Sequence, residues 1–167
     1  MYLFPELIRA FAPESIAGVL SGLKCLFSKT AIASERPVIA FIVALEGITQ
    51  VISYRPLKIS SKEEIKLQGY KILEKLRLTQ SVPAAGVMFA KKQYGIISID
   101  PVVWVRDIQT LFYETACASG TTAIALAETI RLERKSRAEF SVLQPSGKLL
   151  KVLIRLKNGV PDYAEIG

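Results

Sequence analysis

Glu114-Thr115-Ala116-Cys117-Ala118-Ser119-Gly120-Thr121-Thr122 consists almost entirely of small residues and leads straight into Ala123-Ile124-Ala125-Leu126-Ala127-Glu128-Thr129-Ile130. The second segment is small and apolar on nearly every side, so it predicts a helix enclosed by other elements rather than one lying on a surface. The first turn of such a helix leaves backbone N–H groups without intrahelical partners. Ser119, Gly120, Thr121 and Thr122 allow an anion close to those groups. A cysteine just ahead of the helix sits in a field that favours thiolate over thiol, which draws its pKa from about 8.5 toward neutrality. Cys117 is therefore a candidate acid/base group. The same residues also suit a plainer role, in which Cys117 is a small buried side chain and the Ser and Thr residues are ordinary caps.

On both sides of this helix the sequence reads as β-structure. Val38 to Leu45 is a continuous apolar run rich in β-branched residues and Ile48 to Tyr54 alternates, so two strands joined near Glu46-Gly47 are expected. Ser61-Lys62-Glu63-Glu64 is a capping box, and Ile65, Ile72, Leu73 and Leu76 follow at helical spacing, predicting an amphipathic helix over residues 61–78. Ala85 to Phe89, Gly95 to Ile99, Val102 to Arg106 and Leu111 to Tyr113 read as short strands, with turns at Gly95 and at Asp100-Pro101. Phe140 to Leu143, Leu149 to Leu156 and Val160 to Ile166 read as a closing meander, punctuated by Pro145-Ser146-Gly147 and Asn158-Gly159. The expected fold class is α+β, with antiparallel and mixed strands around the buried helix and the 61–78 helix packed outside. Residues 1–35 are expected to be an N-terminal helical segment, the remnant of a first half. Pro5 and Pro13 interrupt it, and Ala17 to Phe27 forms a short helix with Leu20, Leu23 and Phe27 on one face. Residues 36–167 are the domain carrying Cys117.

Composition narrows the chemistry. The 167 residues are 50% hydrophobic, with a mean hydropathy of +0.32, enough for one folded unit with its own core. No apolar run reaches the roughly 18 to 20 residues of a bilayer crossing, so no membrane partner is expected. Met1-Tyr2-Leu3-Phe4-Pro5-Glu6 has no basic n-region or clean apolar h-region, which points to a cytoplasmic protein. Two cysteines, Cys25 and Cys117, and no histidine leave no zinc pattern and no Ser-His or Cys-His triad. Acid/base work falls to Cys, Asp, Glu, Lys or Tyr. The net charge is +7, but the basic residues are scattered. Their richest cluster, Arg131 to Arg137, ends a helix where positive charge is favourable, so nucleic acid is not expected as a partner.

The stretch from Val102-Val103-Trp104-Val105-Arg106 through Phe112-Tyr113-Glu114-Thr115-Ala116-Cys117-Ala118-Ser119-Gly120-Thr121-Thr122-Ala123 resembles the second cysteine motif of the diaminopimelate epimerase-like superfamily, and within it more the histidine racemase branch. Ala85-Gly86-Val87-Met88-Phe89 before the motif, and Gly147-Lys148-Leu149 with the closing strands after it, stand in the expected order. Residues 37–167 are similar to the C-terminal half of such an enzyme. The resemblance implies a barrel-like closure of the strands around the central helix. It also implies an amino-acid racemase or epimerase that uses no pyridoxal and no metal. One cysteine thiolate removes the α-proton, and a second cysteine thiol returns a proton on the opposite face. Carried over along the motif, Cys117 is one of the two acid/base groups. Ala118, Ser119, Gly120 and Thr121 line a pocket for the substrate carboxylate, and Glu114 either joins that pocket or braces the turn. Preorganised N–H donors are what an enolate-like carboxylate requires.

The family carries its other cysteine in a Cys-Gly-Asn motif, which does not occur here. Cys25 lies within the expected Ala17 to Phe27 helix rather than ahead of one, and suits an ordinary buried cysteine better than a second base. Ala118 stands where the epimerases generally carry Gly. One residue fewer separates Glu114-Thr115 from the cysteine, which weighs against diaminopimelate and toward histidine or another amino acid. The expectation is a half enzyme completed by a second half-domain or a homo-oligomer, its uncovered surface apolar. The alternative is a non-catalytic binding module of the same fold.

Overall fold

The computed structural model describes residues 15–20, 23–32, 38–54, 57 and 61–167, with side chains described from Phe41 onward. The Met1 to Glu6 reading, Pro5, Pro13 and the 35/36 boundary lie outside the described residues. In chain order the elements are β1 (Ser15–Leu20), β2 (Leu23–Ile32), β3 (Val38–Leu45), β4 (Ile48–Ser53), α1 (Lys62–Lys75), α2 (Leu78–Ser81), β5 (Ala84–Gln93), β6 (Ile96–Val105) and β7 (Thr110–Tyr113). After them come α3 (Ala118–Arg131), β8 (Arg137–Leu143), β9 (Leu149–Lys157) and β10 (Val160–Ile166).

The strands form one sheet in the order β1-β2-β3-β4-β5-β6-β8-β9-β10, with β7 added alongside β6. Neighbours are antiparallel except β4 with β5 and β6 with β8. Each parallel join needs a crossover. The first runs through α1 and α2, the second through β7 and α3. The helix α3 contacts β3, β4, β5, β8, β9 and β10, and β1 touches β10, so the sheet curls around α3 as a barrel-like wall. The mixed α+β fold with a central buried helix is thus the one the sequence implies.

From β4 to β6 both faces of the wall are covered, which explains the near-continuous apolar runs there. In β5, Met88 and Ala90 point inward to the core around α3, while Ala85, Val87 and Phe89 point outward under α1 and α2. The inner core includes Val43, Ile52, Ile97, Val142, Val152 and Ile154, and every α3 residue from Ala123 to Thr129 is buried. The outer core joins Ile65, Leu73, Leu76 and Leu78 to Val51 and Val102. The capping box is formed: Ser61 Oγ accepts the Glu64 N–H at 3.3 Å and donates to the Glu64 carboxylate at 2.7 Å. α1 stops at Lys75, before the expected 78, because Arg77 turns left-handed at φ 58°.

Two local expectations are corrected. Of the expected 17–27 helix, residues 17–20 lie in β1 and residues 23–27 in β2, an antiparallel pair with Gly18 opposite Cys25. Asp100-Pro101 is not a turn but the middle of the continuous strand β6. There β6 changes its partner on one edge, from β8 at Ile97 and Ser98 to β7 from Val102 onward. Proline lacks an N–H, and at this change of partner Pro101 serves through its carbonyl, which accepts the Glu114 N–H at 3.0 Å.

Candidate functional site

The N-terminus of α3 is the candidate site. Cys117 is the N-cap, extended at φ −133° and ψ 99°, and its Sγ accepts the Gly120 N–H at 3.3 Å, a place that Ser, Thr or Asp more often fills. The first helical bond runs from the Thr121 N–H to Cys117 O at 3.0 Å. Gly120 is spent on the sulfur, so Ala118 and Ser119 hold the two N–H groups for which the helix itself has no acceptor. Ala118 is exposed and Ser119 half-buried.

The cap is fastened from behind by Gln144, which follows β8 and is 2% exposed. Its Oε1 accepts the Cys117 N–H at 3.0 Å, and its Nε2 donates to Thr121 Oγ1 at 3.0 Å and to Val142 O at 3.2 Å. Thr121 Oγ1 in turn donates to Cys117 O at 2.6 Å. Thr121 is fully buried with its N–H and hydroxyl both committed, so it braces the cap from inside. Ser146 N–H donates to Thr115 O at 3.0 Å, tying the 144–147 turn to the run of small residues ahead of α3.

A second glutamine approaches from β4. Gln50 Nε2 donates to Ser119 Oγ at 3.0 Å, and Ser119 Oγ lies 3.6 Å from Cys117 Sγ. Gln50 is fully buried and its Oε1 has no hydrogen-bond partner. Two glycines make room for this packing. A Cβ on Gly86 would fall 2.1 Å from Gln50 Oε1, and one on Gly120 would fall 2.1 Å from Met88 Sδ and 3.0 Å from Cys117 Sγ.

The helix field does not prevail at the thiol. Burial pushes Cys117 up to about 12, the hydrogen bond and negative charge of Glu114 add to the rise, and Ser119 and the Gly120 N–H offset only part of it. The expectation of a pKa drawn toward neutrality is corrected accordingly: with 3% exposure, desolvation of the thiolate outweighs two donors. Cys117 is held as a thiol near neutral pH.

Glu114, Ser119 and Gly120 therefore meet at the Cys117 sulfur, while Ala118 sits at the open edge. Cys25 lies in β2, and its side chain is outside the described set. Gln50 and Gln144 carry no sequence signal, since their partners lie 69 and 27 residues away. Glu128 carries no such signal either. This fully buried carboxylate accepts from Tyr54 Oη at 2.7 Å, Lys92 Nζ at 3.1 Å and Arg131 at 2.9 and 2.7 Å. Burial alone would raise it, yet the donors from Arg131, Tyr54 and Lys92 bring it down to about 2. No trio of metal-ligating side chains converges among the described residues, and no helix among them is long and apolar enough to cross a membrane.

A curled sheet around a buried helix, with a capped cysteine at the helix start, is the architecture of a diaminopimelate epimerase-like half. The chain belongs to the family described as histidine racemase CntK N-terminal domain, whose model matches residues 25–166. The matched model is the N-terminal domain, not the C-terminal half that the motif resembles. A histidine racemase from Fusobacterium nucleatum subsp. nucleatum (strain ATCC 23726 / VPI 4351) is 30% identical over 111 residues, 65% of this chain. That match spans 38% of the relative's length.

Proposed function

We propose that this chain is the part of a cofactor-independent amino-acid racemase that carries one of two acid/base cysteines, Cys117, with histidine or another amino acid as substrate. The observation that carries the reading is Cys117 at the N-cap of the buried α3, its sulfur hydrogen-bonded to the Gly120 N–H, in a chain of the histidine racemase family. A substrate carboxylate would take the Ala118 and Ser119 N–H groups, whose donors match the charge that develops as the α-carbon loses its proton. The thiol would then deliver a proton to one face of the α-carbon, leaving a thiolate held by Gly120 and Ser119. The opposite proton transfer would fall to a second cysteine from another half-domain or a second copy of this chain. Neither step requires pyridoxal or metal.

A second reading is favoured by the burial of Cys117: a non-catalytic module in which the thiol only packs. The two separate in D2O with reductant, where α-proton exchange is followed by NMR for histidine, diaminopimelate and other amino acids. Exchange that is lost in Cys117→Ser is the expected result. Exchange that persists in Cys117→Ser removes the role of this residue; no exchange with Cys117 still alkylated quickly fits a half-site that lacks its partner, and no exchange with a slow thiol favours the packing module.

A further inference from the structure

We propose that Gln50 is a positioning residue for the Cys117 sulfur: by donating from Nε2 into Ser119 Oγ it turns the Ser119 hydroxyl hydrogen onto Sγ. The inference rests on the reading of Cys117 as an acid/base group. A serine hydroxyl has one hydrogen to give and two lone pairs to receive with. With the Gln50 amide donating at 3.0 Å, the Ser119 hydrogen is released for another acceptor, and Sγ stands 3.6 Å away.

The cost of this arrangement shows that packing alone does not account for it. Gln50 is fully buried on the inner face of the sheet and its Oε1 has no partner, a penalty that leucine or methionine at the same place would avoid. Gly86 leaves the space that the amide oxygen occupies, 2.1 Å from where a Cβ would lie. Reversing the amide would orphan an NH2 group instead of a carbonyl oxygen, and buried donors without partners are the rarer case. It would also make Ser119 donate to Gln50, withdrawing its hydrogen from the sulfur. The retained orientation is the one that serves a thiolate, the state Cys117 must enter whenever it gives up its proton.

The test is the alkylation rate of Cys117 in the full chain by iodoacetamide, resolved by peptide mass spectrometry from pH 7 to 10. Gln50→Leu is expected to slow the reaction about tenfold at each pH below the thiol midpoint, equivalent to a rise of about one pH unit. Ser119→Ala is expected to do the same, and the double variant to be no slower than Ser119→Ala alone. Gln50→Glu, which accepts the Ser119 hydrogen and adds negative charge, should slow it further. If Gln50 only packs, removing it loosens the site and alkylation becomes faster. An unchanged or faster rate in Gln50→Leu, or an undiminished effect in the Ser119→Ala background, overturns the proposal. Should Gln50→Leu fail to fold by circular dichroism, Gln50→Met keeps the length without the donor and is read by the same criteria. The readout needs no turnover, so a chain without racemase activity leaves this result standing on its own.

Discussion

The negative charge of Glu114, three residues ahead of Cys117, raises the pKa of the thiol and so opposes the helix that the thiol caps. That charge favours S–H, whereas the Gly120 N–H at 3.3 Å favours S⁻. Glu114→Gln removes the charge and keeps the shape, so the Cys117 pKa is expected to fall below about 12. Alkylation of Cys117 at pH 8 should then accelerate by roughly tenfold, the equivalent of one pH unit. Site-resolved mass spectrometry checks it, and a rate equal to wild type would remove Glu114 from the control of the thiol.

The same raised thiol links folding to pH on the alkaline side. Its pKa moves from an ordinary 9.0 up to about 12 in the folded chain, so the folded state binds the proton more tightly. The stabilisation is fully present below pH 9 and is lost as pH climbs through the folded value. The slope in that window is at most about 1.4 kcal/mol per pH unit. Lysines titrate in the same range, so the comparison is with Cys117→Ala. Urea midpoints should decline between pH 9 and 11 more steeply for wild type than for the variant, and parallel declines would refute the linkage.

What could be read from the sequence divides along physical lines. The helix α3 was legible because an apolar run with no polar face, ahead of which stands a run of small residues, has few alternatives. The strands β3 to β5 were legible because the wall is covered on both sides, giving β-branched runs bounded by turn residues. The 17–27 stretch reads as a helix because Leu20, Leu23 and Phe27 fit a helical face, yet Leu23, Cys25 and Phe27 also alternate, and short apolar runs satisfy both periods. Pro101 reads as a turn in the sequence because the missing N–H says nothing of whether a partner strand needs one. At the site, the cysteine, Ser119 and Gly120 were visible as an uncommon local run. Gln50, Gln144 and Glu128 were not, since a buried polar residue is explained by donors and acceptors that arrive from distant strands.

Glu128 sets the acid limit. Burial raises it by itself, but Arg131, Tyr54 and Lys92 hold it down to about 2 from an ordinary 4.5. The folded state therefore binds this proton less readily than the unfolded chain. The stabilisation is present above pH 4.5 and is lost as pH falls toward 2. It amounts to about 3 kcal/mol before discounting for Lys92 and Arg131, which are 39% and 42% exposed and partly screened by solvent. Glu128→Gln should flatten the acid limb of stability between pH 4.5 and 2 and lower stability at pH 7, as expected when one partner of a buried ion pair is removed. Thermal midpoints at pH 3 and pH 7 decide it, and an unaltered acid limb would count against the assignment.

Gly69 tests how tightly α1 lies on the wall. On an exposed helix face, Gly→Ala gains about 1 kcal/mol through helix propensity. At Gly69 a Cβ would stand 2.8 Å from both Cβ and Cγ1 of Val102. Val102 is fully buried in β6, and its β-branched side chain has little rotamer freedom with which to yield. Overpacking of this kind costs about 1–3 kcal/mol, so the clash outweighs the propensity gain and Gly69→Ala is expected to be net destabilising. Val102→Ala in the same chain removes Cγ1 at 2.8 Å and Cγ2 at 3.1 Å but keeps Cβ at 2.8 Å, so it relieves part of the clash, and the double variant should be more stable than the sum of the two single changes. Urea denaturation of the four chains measures that coupling. Gly69→Ala more stable than wild type would mean that α1 rides higher on the sheet than its packing against Val102 indicates.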